Sequence, residues 1–168
     1  VSSADVLIRP ALPADVRAIR SLVEPYADRR ILLAKEWVGY YEAVQEFLVA
    51  EIDGVVVGCG ALHVMWDDLA EIRTLAVDAS VRGKRVGHAL LDGLMARARS
   101  LGLGRLFCLT FEVDFFVGHG FHEIEGTPVT PDVYAELLRS HDDGVAEFLD
   151  LARVKPNTLG NTRMLIEL

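Results

Sequence analysis

Between Arg82 and Gly87 the chain reads Arg-Gly-Lys-Arg-Val-Gly, three cations within four residues of a protein whose net charge is -8. Local positive charge against an acidic whole points to a site for an anion rather than to bulk composition. Val86, Ala89, Leu90, Leu94, Ala98 and Leu101 follow at helical spacing, so the turn predicts the start of a helix. Backbone N–H groups at such a start, with the positive end of the helix dipole behind them, cradle phosphate. A phosphate-bearing cofactor fits this chain better than a nucleic acid, which asks for a dominant basic face. Upstream, Glu71 lies on a predicted strand with Ile72, Leu75, Ala76 and Val77. A carboxylate there can take a proton, and burial on a central strand would raise its pKa toward the working range. Arg73 shares its face by the two-residue period. It can pair with Glu71 and oppose that shift, or clamp a substrate carboxylate; a plain structural ion pair is the alternative.

The elements that must hold these groups follow from the same patterning. Val6 to Arg9 reads as a short strand, and Pro13-Ala14-Asp15 opens a helix whose inner face is Val16, Ile19, Leu22 and Val23. A second helix runs from Lys35-Glu36-Trp37 to about Val44. Phe47–Glu51 and Val55–Val64 read as strands joined at Asp53-Gly54, a strong hairpin signal. Gly58 and Gly60 are no dinucleotide fingerprint, because no helix follows them. After the long helix, Leu106–Leu109 reads as a buried strand parallel to the Glu71 strand, since a helix crosses between them. Thr130 caps a helix that Pro131 begins and Ser140 ends. Lys155, Asn157, Asn161 and Arg163 fall in a polar loop ahead of a closing strand, Met164–Leu168, and suit an anionic substrate as well as plain solvation.

At 168 residues, the chain suits one domain, residues 1–168, with a sizeable core. No apolar run approaches the roughly 20 residues that span a bilayer, and no secretory pattern opens the sequence. Cys59 and Cys108 stand alone in apolar runs, which predicts buried free thiols in a reducing cytoplasm. His63, His88, His119, His122 and His141 share no ligand spacing, so no metal is expected.

The Arg82–Gly87 turn resembles the pyrophosphate loop of the GCN5-related N-acetyltransferases (GNAT), whose pattern is Gln or Arg, two residues, Gly, one residue, then Gly or Ala. Arg82 and Gly87 match; Arg85 stands where the central Gly belongs. The resemblance implies an α/β (α+β) GNAT fold, a mixed central sheet of about six to seven strands flanked by helices. It implies acetyl-CoA as cosubstrate, held by Leu75, Ala76, Val77, Arg82, Gly83, Lys84, Arg85, Val86, Gly87 and His88. Phe115 and Phe116 fall on the family's second cofactor segment. Where Phe116 stands the family often carries a Tyr that protonates the departing thiolate, and a phenyl ring cannot.

Ile31-Leu32-Leu33 with Lys35, Glu46-Phe47, Gly58-Cys59-Gly60-Ala61-Leu62 and Glu71-Ile72 resemble the acetyltransferase domain of the N-acetylglutamate synthases, in the short stand-alone form of actinobacteria. That implies acetylation of glutamate or glutamine at the α-amino group, the entry to arginine biosynthesis. It puts the base on Glu71 and the thiolate's acid near Glu112, although the family has a hydroxyl there. It puts substrate contacts on Lys35, Arg73, Thr74 and the 155–163 tail. Transfer is then direct, since an amine attacks only once deprotonated and Cys108 has no neighbouring base in sequence. Strand N–H groups near Leu75 and Val77 would polarise the thioester. The partner is a small amino acid, with no nucleic acid, no membrane and a homodimer left open. An acetyltransferase for another small amine or a protein N-terminus, and a catalytically idle acyl-CoA sensor, are the competing readings.

Overall fold

Asp53 and Gly54 carry φ of 51° and 79°, and this doubly left-handed turn matches the twist of the two strands it joins. The computed structural model describes residues 5–28 and 36–168. Strands β1 (Leu7–Pro10), β2 (Phe47–Ile52), β3 (Val55–Trp66), β4 (Leu69–Val77), β5 (Arg105–Thr110), β6 (His122–Glu123) and β7 (Thr162–Glu167) take the order β1-β2-β3-β4-β5-β7-β6. This is the mixed sheet implied by the sequence. The chain divides into two compact units, Val1–His63 with Ile72–Leu101, and Val64–Glu71 with Gly102–Leu168.

In the first unit β1 pairs antiparallel with β2, and β2 with β3, in a register that shifts at Ala50/Glu51. Alternation along the strands sends Phe47, Val49, Cys59 and Ala61 to one face. There they pack with Val16, Ile19, Leu22 and Val23 of α1 (Val16–Asp28), and with Tyr40 of α2 (Trp37–Glu42). The second helix therefore stops at Glu42, and a single 3-10 turn covers Val44–Glu46. On the opposite face lies α3 (Val86–Ser100). A Cβ on Gly58 would stand 2.9 Å from Leu90 Cδ1, and one on Gly60 2.9 Å from Leu94 Cδ1. These glycines let the helix settle on the strand, which is the physical reason the pair exists without a nucleotide. At the N-terminal end Arg9 grips Asp15 through two hydrogen bonds of 2.7 and 2.9 Å and Glu51 through a third of 2.7 Å.

In the second unit β4 and β5 run parallel, with Leu69, Ala70 and Glu71 opposite Arg105, Leu106 and Phe107. β7 pairs antiparallel with β5 and with β6. The core gathers Met65, Leu69, Phe107, Leu165, Leu137 of α5 (Pro131–Leu137) and Phe148 of α6 (Asp143–Phe148). Phe107 and Phe148 meet edge to face at 4.9 Å. Thr130 accepts from the Val133 N–H at 3.4 Å, so the predicted cap is present, but the helix ends at Leu137 rather than Ser140. Asp142 caps α6 by accepting from Val145 N–H at 2.9 Å, a helix the sequence reading passed over. The polar tail contains one helical turn, α7 (Lys155–Thr158), and the closing strand starts at Thr162.

Candidate active site

Asp78 begins the approach to the basic turn. Its carboxylate accepts from the Ser80 N–H at 2.8 Å and sets a single 3-10 turn over Ala79–Val81. Arg82, Gly83, Lys84 and Arg85 are all exposed. Gly83 sits at φ 83°, and Arg85 precedes α3 at φ 60°, ψ 26°. The residue that departs from the glycine pattern thus adopts the left-handed backbone glycine would have taken, at a cost of roughly 1–2 kcal/mol. Val86 behind it is buried against Gly58, anchoring the turn. No side chain caps α3. The first N–H groups of a helix have no carbonyl of their own helix to meet, and here they follow directly on three exposed cations. A diphosphate fits this arrangement.

Upstream on β4, Thr74 holds φ 57° and is almost wholly buried. A β-branched residue in the left-handed region stores on the order of 1–3 kcal/mol, and such strain gathers at working sites. The Thr74 carbonyl accepts from Cys59 Sγ at 3.5 Å. Ala76 is buried, with its methyl in the core. The Val77 carbonyl accepts from the Tyr26 hydroxyl of α1 at 2.9 Å. Arg73 is half-buried.

The second unit holds the remaining candidates. Glu71 is 3% exposed, in register with Phe107. Its charge acts on Cys108, whose thiol burial already pushes well above the ordinary range, and on Arg163. Cys59 in the first unit is likewise pushed up by burial, to about 12. Arg163, read as a substrate contact, donates to the carbonyls of Glu147, Phe148 and Gly126 at 2.8, 2.6 and 3.0 Å and lies over the Phe107 ring. It braces the end of α6 and the 126 turn onto β7. Burial lowers its pKa, while the charges of Asp150 and Glu71 oppose that fall. Lys155 pairs with Asp150, Asn157 is exposed, and Asn161 Nδ2 donates to the Asn157 carbonyl at 3.5 Å. Glu112 is exposed at the start of α4 (Val113–Gly118), and its N–H donates to Thr110 Oγ1 at 2.8 Å. Phe116 is buried between Phe115 and Phe121, with ring centroids 5.2 and 5.1 Å away. Lys35 and the Ile31–Leu33 run lie outside the described residues.

Residues 15–124 match the Acetyltransferase (GNAT) family. This chain is a GNAT acetyltransferase. An amino-acid acetyltransferase of Mycobacterium tuberculosis is 59% identical over 165 residues, covering 96% of this chain and 94% of the relative. One of Shewanella oneidensis is 34% identical over 132 residues, which make up 77% of this chain but 29% of that protein. Among solved structures, a Mycobacterium tuberculosis protein in complex with CoA superposes with a TM-score of 0.94 at 59% identity, covering 96% of this chain and 99% of that one. N-acetylglutamate synthase from Neisseria gonorrhoeae, complexed with coenzyme A and N-acetyl-glutamate, gives a TM-score of 0.77 at 25% identity over 100% of this chain and 36% of that one.

For this acetyltransferase the sequence singled out the basic loop and the Glu71 strand but missed Tyr26, which meets Val77 across 51 residues. Nothing local marks that contact. Among the described residues, no group of three or more His, Cys, Asp or Glu gathers as a metal site, and no helix is long and apolar enough to cross a membrane.

Proposed function

We propose that this acetyltransferase acts on a free amino acid, moving the acetyl group of acetyl-CoA to the α-amino nitrogen of L-glutamate or L-glutamine and releasing CoA, the step that opens arginine biosynthesis. The observation that carries this reading is the 59% identity to an amino-acid acetyltransferase along nearly the whole chain. The exposed, uncapped basic loop supports it, because it suits the diphosphate of the cosubstrate.

Glu71 is the base. An α-amino group arrives as ammonium, which has no lone pair; a carboxylate, directly or through one water, removes the proton. The nitrogen then adds to the acetyl carbonyl carbon, and the tetrahedral intermediate gives up its second N–H proton and collapses with loss of the carbon–sulfur bond. The backbone N–H near Leu75 stabilises the oxyanion. Glu112 is the candidate to return a proton to the leaving thiolate. Lys35, Arg73, Thr74, Lys155, Asn157, Asn161 and Arg163 are the candidates for the substrate's polar groups. Neither thiol is a nucleophile in this scheme, since both are buried and held protonated.

An acceptor screen with acetyl-CoA, read by thiol release, tests the proposal. Glutamate or glutamine should outrun peptides and simple amines. A peptide preference would assign the chain to protein N-termini, and CoA binding without turnover would leave a sensor.

A further inference from the structure

The Tyr26 hydroxyl donates to the Val77 carbonyl at 2.9 Å, and its oxygen stands 3.5 Å from the Val77 nitrogen, placed to accept. One hydroxyl thus serves both polar groups of a strand residue, as a neighbouring strand would. The next residue, Asp78, donates its N–H to Val57 of β3 at 2.8 Å. Polar groups alternate sides along a strand, so those of Val77 point away from β3, to an edge that Tyr26 covers.

This edge matters on the acetyl-CoA reading, on which the inference rests. With the diphosphate at Arg82–Gly87, the cosubstrate arm running back up the chain meets Val77 before Leu75. That arm carries two amides, and an amide pairs with an open strand edge as a strand does. It needs the groups Tyr26 holds. We propose that Tyr26 is a placeholder: it occupies Val77 in the ligand-free protein and is displaced by the pantetheine amide of the incoming thioester. The helix is built to release it. Pro25 lies inside α1 one residue before Tyr26, so the last turn lacks a main-chain hydrogen bond and gives way at small cost. Cosubstrate binding is then coupled to movement of the end of α1.

The test is Tyr26→Phe, with Tyr26→Leu as a second variant and CoA itself as the probe. Removing the hydroxyl frees the edge, so the Kd for CoA should fall about 2- to 10-fold, the value of one net hydrogen bond. The melting midpoint should drop without ligand and match the unsubstituted protein when both are saturated with CoA. Unchanged or weaker binding, or equal melting losses with and without CoA, would overturn the placeholder and leave Tyr26 a fixed anchor. A kcat loss of about a hundredfold with the alkaline limb of the pH profile removed would overturn it too, making Tyr26 a proton donor. If the unsubstituted chain bound no CoA, the acetyltransferase reading itself would fail, which the same titration distinguishes.

Discussion

Burial, and then the negative charge of Glu71, hold the Cys108 thiol protonated, well above the ordinary range for cysteine. A thiolate forming there would stand unsolvated beside a carboxylate, so this position disfavours a covalent acyl-cysteine and favours direct transfer. Native protein should therefore resist a thiol-specific maleimide at both Cys59 and Cys108, and react at both once unfolded in denaturant. Mass spectrometry reads the outcome. Rapid native labelling of Cys108, or loss of turnover in Cys108→Ala, would restore a cysteine nucleophile to consideration.

Glu71→Gln keeps the volume and removes the base. We expect kcat to fall roughly 10²- to 10⁴-fold near neutrality with the KM for acetyl-CoA little changed. Raising the pH should recover part of the loss, because more of the acceptor amine is already deprotonated. Steady-state kinetics across pH test this; a variant with ordinary kcat would move the base elsewhere.

Arg85 separates backbone conformation from charge. Arg85→Gly keeps the left-handed turn and relieves about 1 kcal/mol of strain, so its melting midpoint should equal or exceed that of the parent. Its KM for acetyl-CoA should rise a few-fold through the lost cation, and more at low salt than at high. Arg85→Val loses the cation and opposes the turn, so it should melt lower and bind CoA more weakly than Arg85→Gly. Equal behaviour of the two variants would show that the turn at Arg85 does not shape the loop.

Asp15 links stability to pH. The hydrogen bond from Arg9 lowers its pKa, burial opposes this, and the Leu12 N–H at 2.7 Å lowers it further. The folded carboxyl thus binds its proton less readily than the unfolded one. Its stabilisation is complete above the unfolded value of 3.8 and is lost as pH falls through the lower folded value. Asp15→Asn should cost about 1–3 kcal/mol near pH 7 by urea unfolding, and the gap to the parent should narrow near pH 3. A gap of constant size would mean that charge contributes little to the Arg9 clasp.

Features legible from the chain alone are those whose physics closes within a few residues. Asp53-Gly54 dictates its turn because few other pairs accept two left-handed residues in succession. Thr130-Pro131 announces a helix because cap and first turn are neighbours. Arg82–Gly87 announces the start of a helix, which opens at Val86, because turn and first helical residues are contiguous. At α6 no local pattern is read from the sequence; the Asp142 cap on Val145 and burial of Phe148 in the core make it a helix.

Tertiary structure alone decided the rest. Thr74 is β-branched and poorly suited to a left-handed backbone, and only its packed surroundings hold it there. Arg163 finds the carbonyls at 126, 147 and 148 only in the folded chain. Gly58 and Gly60 acquire their meaning from Leu90 and Leu94. Tyr26 finds Val77 across 51 residues. In each case the partner is distant along the chain, and composition and spacing carry no record of which distant groups the collapsed core brings together.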